Sequence, residues 1–327
     1  MEPVIAITMG DPAGIGPEII LKSFAGKEIE KTNPVVIGDI SVLEAARDKL
    51  GLKNMVLEEV TSVDSLSKKP SRINVRDMKL LKMTDFIPGK LSRRAGDAAF
   101  KYIVESIRLA NEGKIAAVVT APINKEAISM AGHSFAGHTE IFAQYTGTKN
   151  YAMLLYDRRL SVIHVSTHIS IAEAISSLKR SRIEDVIRMA DTSMKKITGH
   201  APEIAVAGLN PHAGENGLFG TQEIRIIRPA IDKMKAAGIK VSGPYSPDTV
   251  FLKALNGLFD IVVAMYHDQG HIPVKLLGFE SGVNVTVGLP VIRTSVDHGT
   301  AFDIAWKGTA GNDSMVNAIK LADRLIR

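Results

Sequence analysis

The chain contains no cysteine. Disulfides, thiolate zinc sites and cysteine nucleophiles are therefore excluded, which leaves histidine and carboxylate as the side chains able to hold a metal. Aromatic residues make up only 5% of the chain, with one tryptophan, so a core has to be assembled from small aliphatics. That composition suits a Val/Ile/Ala-rich parallel sheet packed under helices. No apolar run approaches the roughly eighteen residues of a membrane span. Met1 leads almost directly into a strand pattern, VIAITM, which leaves no room for a signal peptide. The expected setting is soluble and cytoplasmic. The formal charge of +5 is scattered. Its densest group, Lys179-Arg180-Ser181-Arg182, reads as a solvated helix start with no aromatic platform or recognition motif beside it. Nucleic acid and membrane are not expected partners; an anionic small molecule is.

What is present is alternation. With 327 residues, 45% of them hydrophobic, there is material for one large domain or two of ordinary size. VIAITM precedes a helix pattern from Pro17 to Ser23, NPVVIGD precedes SVLEAARDKLGL, and IAAVVTAP precedes NKEAISMAG. YAMLLYD and LSVIHVST precede a helix pattern from Ile169 to Ser177, and EIAVAGLNP and IVVAMYHD complete the set. This is the signature of βαβ units and a mostly parallel α/β sheet. The segment 58–90 breaks the rhythm with short polar strands, Pro70 and Pro88, and reads as a peripheral excursion rather than a linker. Two lobes from one interleaved chain are expected, the first from 1–125 with 270–327 and the second from 126–269.

Three histidines sit where a buried-strand pattern runs out into a polar, glycine-bearing loop. His168 follows LSVIHVST, His212 follows EIAVAGLNP, and His267 follows FDIVVAMY. In an open α/β sheet, side chains at strand exits converge outside the carboxyl ends of the strands. Three imidazoles with an open fourth position describe a catalytic divalent-metal site. Asp248 and Asp268 stand nearby in sequence as a candidate general base or as carboxylates orienting an imidazole. His164 lies mid-strand and reads as a hydrogen-bonded core residue.

The first loop, Gly10-Asp-Pro-Ala-Gly-Ile-Gly-Pro-Glu18, is neither GxGxxG nor a P-loop. A glycine-rich turn between strand and helix can still approach a phosphate, here through Gly14 and Gly16. The turn resembles the GDGIGPE opening of the isocitrate and isopropylmalate dehydrogenases, with Pro12-Ala13 inserted. The segments GHTE (137–140), STH (166–168), GLNPHAGE (208–215), MYHDQG (265–270), GVNVTVGLP (282–290) and RTSVDHGTA (293–301) resemble those of 4-hydroxythreonine-4-phosphate dehydrogenases. The likeness spans essentially the whole chain.

That resemblance implies a two-lobed α/β/α fold like isocitrate and isopropylmalate dehydrogenase, with the active site in the interlobe cleft. It implies NAD-dependent oxidation of a secondary alcohol beside a carboxylate, followed by loss of CO2. Related β-decarboxylating dehydrogenases use a lysine as proton acceptor, which makes Lys125, in TAPINKE, a third candidate for that role. His168, His212 and His267 are then the ligands of a divalent ion acting as a Lewis acid, and imidazole suits zinc, cobalt, nickel and iron alike, with magnesium not distinguished. His138, Thr139, Lys275, Asn284 and Arg293 match positions that hold the substrate and its phosphate. His298-Gly299-Thr-Ala-Phe-Asp303 resembles the HGSAPDIA loop of isopropylmalate dehydrogenases, where the aspartate faces the adenosine ribose. A carboxylate there accepts from a 2′-hydroxyl and repels a 2′-phosphate, which favours NAD over NADP. The resemblance also implies a homodimer with metal ligands contributed by both chains.

Within this family the substrate is open. His271, Glu280 and the opening MGDPAGIGPE are more like a branch acting on 4-phospho-D-threonate or 4-phospho-D-erythronate, giving dihydroxyacetone phosphate and CO2. A His271 close to the C2 substituent would favour a hydroxyl, because its cationic form repels an ammonium. The alternatives are 4-phosphooxy-L-threonine oxidation in pyridoxal phosphate biosynthesis and, less compatible with the phosphate residues, oxidation of aromatic cis-diol carboxylates. From other classes, a zinc hydrolase would also use three histidines and a carboxylate, and a binding protein could keep the fold without the chemistry. The hydrolase needs neither the phosphate set nor the loop at 298–305, and against the binding protein every residue that activity needs is present.

Overall fold

The computed structural model describes every residue except 1, 27, 65, 68, 70, 71, 278–281 and 327. Glu280 therefore lies outside the described residues. The chain divides into two compact units, the first made of 1–149 with 289–327 and the second of 150–288. The reading from sequence put these boundaries at 125/126 and 269/270, inside the units. Pattern marks where elements lie, whereas a unit boundary depends on which elements pack together.

In chain order the first unit contributes β1 (Ile5–Thr8), α1 (Gly16–Ala25), β2 (Pro34–Gly38), α2 (Ile40–Lys49), β3 (Val56–Glu59) and β4 (Arg72–Asp77). It continues through α3 (Arg93–Asn111), β5 (Ala117–Thr120), α4 (Lys125–Met130) and α5 (His138–Tyr145). The second unit supplies β6 (Ala152–Tyr156), β7 (Val162–His164), α6 (Ile171–Ser176), α7 (Arg180–Thr198) and β8 (Ile204–Ala207). Then come α8 (Arg228–Ala236), β9 (Val241–Tyr245), α9 (Pro247–Leu255), β10 (Ile261–Ala264), α10 (His267–Leu276) and β11 (Val283–Val287). The chain returns to the first unit with β12 (Ile292–Val296) and α11 (Asp313–Ile326).

In the first unit the strand order is β3-β4-β2-β1-β5-β12, and every neighbouring pair is parallel. All four residues of β1 and of β5 are buried, as a strand covered on both faces requires. The long α3 packs on β1, β2 and β5. It starts at Ser92, whose hydroxyl accepts from the Ala95 amide. The stretch 58–90, expected to be a peripheral excursion of short polar strands, joins the sheet. It carries β4 and the end of β3, which add two parallel strands to the sheet edge. β3 is the edge strand, and β4 lies between it and β2.

The second unit has the order β11-β6-β7-β10-β8-β9. β6 runs antiparallel to both β11 and β7, and the remaining pairs are parallel. Leu155, Val162, Ala205, Val262, Ala264 and Phe251 are among the buried residues of its core. This mixed, mostly parallel arrangement is the α/β class read from the sequence. Among the described residues, no helix is long and apolar enough to cross a membrane.

Candidate active site

The three strands that lead to His168, His212 and His267 are immediate neighbours in the second unit. β7, β10 and β8 pair in parallel in that order, so their carboxyl ends lie along one edge. The exits are laced together. The Ser166 hydroxyl donates to the Met265 carbonyl at 2.9 Å. The Gln269 amide accepts from the Met265 N–H at 2.6 Å and donates to the Gly208 carbonyl at 2.7 Å.

His168 and His267 come together there, with ring centroids 5.9 Å apart. Both line a cavity of about 210 Å³ with Thr167, Tyr266 and Asp268. His267 Nδ1 lies 2.7 Å from Asp268 Oδ1, so the carboxylate accepts from this nitrogen and Nε2 is left as the ligating atom. A divalent ion fits this pair chemically: two imidazoles, one already oriented by a carboxylate, beside open space.

His212 is elsewhere. Residues 212–216 all have positive φ, between 41° and 82°, in a loop held by the buried Glu223. The Glu223 carboxylate accepts from the amides of Leu209 and Asn210 at 2.7 and 2.8 Å. The loop carries His212 beside Phe219, with ring centroids 6.1 Å apart, and near enough to Asp248 for their charges to interact. Among the described residues no three His, Cys, Asp or Glu side chains are grouped to hold a metal. One chain thus assembles two of the three expected ligands.

Asp248 is exposed in the first turn of α9 and accepts from the Ser246 hydroxyl. That bond, with His212 adding to it, holds its carboxylate below the usual range. Lys275 is exposed near the end of α10. Asn284 Oδ1 is buried with no hydrogen-bond partner among the described residues. The amide oxygen and nitrogen are interchangeable by a flip, so this position can also present a donor.

Two further histidines of the second unit meet beside His267. His164 is a wholly buried core residue, as expected, but its Nε2 also lies 3.1 Å from His271 Nδ1. His271 stacks on His267. Their spacing was legible, since residues four apart on a helix share a face. Burial, with the neighbouring imidazoles, pushes His271 down to about 3, and burial pushes His164 down to about 4. Both rings are neutral near pH 7. A cationic His271 repelling an ammonium is therefore not a reason to favour a hydroxyl at C2, because a neutral imidazole accepts from either group.

In the first unit the glycine turn is built by packing. A Cβ on Gly14 would come within 2.9 Å of Thr300, and one on Gly16 within 2.2 Å of the Met9 carbonyl. The two glycines permit close approach of protein to protein, so their lack of a side chain is not in itself a sign of phosphate. The Ile15 amide donates to the Thr300 carbonyl at 3.0 Å, joining this turn to the loop at 298–305. Glu18, buried at the start of α1, accepts from the Gly308 and Ala310 amides and pairs with Lys22 at 2.9 Å. Asp303 is exposed in that loop and caps no helix, since the next begins at Asp313. His298 is exposed beside Gly299, with Nδ1 3.1 Å from the Gly299 carbonyl.

Arg293, the second residue of β12, is 2% exposed, and its guanidinium donates to Thr120 Oγ1 at 2.7 Å. Burial pushes it down to about 9, with Glu140 acting in the opposite sense. His138, the first residue of α5, hydrogen bonds to the Ala121 carbonyl, while its Nε2 is buried with no partner among the described residues. Burial, and then the Arg293 and Lys125 charges, hold it well below the usual histidine range. Thr139 is buried beside it. Buried cationic and imidazole groups in this density are what an anion would relieve.

The mostly parallel α/β fold of this chain is one that known dehydrogenases adopt. A β-decarboxylating dehydrogenase from Thermococcus kodakarensis shares that fold at a TM-score of 0.52 over 98% of this chain and 82% of that one, with 14% identity. The family model described as pyridoxal phosphate biosynthetic protein PdxA matches residues 30–322, and the chain belongs to this family. It is 51% identical to D-threonate 4-phosphate dehydrogenase of Pectobacterium atrosepticum over 99% of this chain and 100% of that protein. It is 46% identical to 4-hydroxythreonine-4-phosphate dehydrogenase of Beijerinckia indica, covering 98% and 94%. The crystal structure of 4-hydroxythreonine-4-phosphate dehydrogenase from Klebsiella pneumoniae matches at a TM-score of 0.87 with 49% identity over all of both chains. The chain is thus a dehydrogenase, an oxidoreductase, which removes the hydrolase and binding-protein readings.

Proposed function

We propose that this protein catalyses NAD-dependent, divalent-metal-dependent oxidation and β-decarboxylation of D-threonate 4-phosphate or D-erythronate 4-phosphate, giving dihydroxyacetone phosphate and CO2. The observation that carries the substrate is 51% identity, end to end, with a protein of that name. His168 and His267 are assigned to the ion, with His212 supplied by the second chain of a homodimer. The incomplete set in one chain and the exposed Leu218 and Phe219 beside His212 support that division. The bound ion supplies Lewis acidity at the substrate oxygen that is oxidised. His138, Thr139, Lys275, Asn284 and Arg293 take the phosphate. Asp268 orients His267, and Asp248, Asp268 and Lys125 remain the candidates for moving the hydroxyl proton. Gly14, Gly16, His298, Gly299 and Asp303 form the proposed dinucleotide contacts.

Formation of NADH is measured with D-threonate 4-phosphate, D-erythronate 4-phosphate, 4-phosphooxy-L-threonine and the unphosphorylated acids, with zinc, cobalt, nickel, iron or magnesium added in turn. One of the two phosphorylated sugar acids should give the highest kcat/KM, and the unphosphorylated acids should be turned over poorly. Preference for 4-phosphooxy-L-threonine would favour the second reading, which the Beijerinckia indica relative and the neutral His271 keep in play.

Asp303 sets the cofactor prediction. NAD is expected to exceed NADP by at least about 10-fold in kcat/KM, because a carboxylate facing a 2′-phosphate costs about 1–3 kcal/mol. Asp303→Asn should narrow that gap. Equal use of both cofactors by the unsubstituted protein would remove Asp303 from the ribose.

A further inference from the structure

Two histidines of the second unit lie behind the assigned metal ligands without being among them. His164, the last residue of β7, places Nδ1 3.2 Å from the Met153 carbonyl. A carbonyl only accepts, so Nδ1 carries the proton and the neutral ring keeps a lone pair on Nε2. His271 Nδ1 lies 3.1 Å from that lone pair and 3.2 Å from the His267 carbonyl. Both partners accept, so Nδ1 is the protonated nitrogen of His271 as well. The His271 ring then lies flat on that of His267, with centroids 3.6 Å apart and planes 10° apart. Gly270 makes the arrangement possible. A Cβ there would come within 2.4 Å of His164 Nε2 and 2.7 Å of Val162 Cγ1.

We propose that His164 and His271 form a positioning column that fixes the ring plane of His267 as a metal ligand. The Met153 carbonyl sets the tautomer and rotation of His164, His164 sets those of His271, and the His271 ring sets the plane of His267. Asp268 engages His267 Nδ1, so the column and the carboxylate together aim Nε2 at the cavity shared with His168. Neither His164 nor His271 touches the ion; each acts through its neighbour. The column rests on the metal assignment made above for His267.

Cobalt(II) is the probe, titrated into the full-length protein and followed by its visible absorption. In His164→Leu the dissociation constant should rise by about 10–100-fold, the usual effect of removing a partner that orients a ligand. His164→Gln should stay close to the unsubstituted protein, because its amide can donate to the Met153 carbonyl and accept from His271. Thermal unfolding of both variants reports on the fold. Long-range proton–nitrogen NMR of the unsubstituted, metal-free protein gives a test independent of any substitution, and both histidines should be protonated on Nδ1. A proton on His271 Nε2 would overturn the column. So would cobalt affinity unchanged in His164→Leu, or equally lost in the glutamine variant, and either result would leave the metal assignment standing. An unsubstituted protein that binds no cobalt would overturn the metal assignment and the column together.

Discussion

His168→Ala is expected to raise the dissociation constant for a divalent ion by at least about 100-fold and to abolish turnover. Residues that only support a metal ligand cost 10–100-fold when removed, so loss of a ligand itself should cost no less. The fold should be indifferent. His168 is exposed in the loop after β7, where truncation opens no cavity in the core. Metal content after dialysis against a chelator, NADH formation and thermal unfolding separate these effects. Near-normal turnover of the variant in metal-stripped buffer would remove His168 from the site.

Arg293→Ala should raise KM for the phosphorylated substrate by about 30–1000-fold, corresponding to roughly 2–4 kcal/mol for a buried charge-assisted contact. Arg293→Lys should recover only part of this, since lysine keeps the charge and loses the planar fork. Inorganic phosphate provides a readout without catalysis. Burial opposes the charged form of Arg293, so an anion beside it should stabilise the unsubstituted protein. Its melting temperature should rise with phosphate concentration, and that of Arg293→Ala should not. An unaltered KM in the alanine variant would place the phosphate elsewhere.

Much of the fold was legible because its local signals agree. Seven strand patterns, from VIAITM to IVVAMYHD, each contain an observed strand. Pro17 sits in the first turn of α1, where its missing N–H costs nothing. The segment 58–90 was legible as short polar strands, but not that β4 pairs between β2 and the edge strand β3. The unit boundaries also lay beyond pattern. β6 reverses direction between β11 and β7, and that pairing keeps residues up to Gly288 in the second unit.

By itself the sequence determined the α/β class, the absence of thiol chemistry and the three strand exits that carry histidine. These follow from composition and from a periodicity that each segment displays alone. Only the tertiary structure decided which exits meet. His168 and His267 share a cavity because β7 and β10 are neighbours, while a run of left-handed residues turns His212 away toward Phe219 and Asp248. The buried state of Arg293, the packing role of Gly14 and Gly16, and the contact of His164 with His271 were likewise tertiary outcomes. Each depends on what a distant segment places against the residue, and the distance of that partner along the chain leaves no trace in the local pattern.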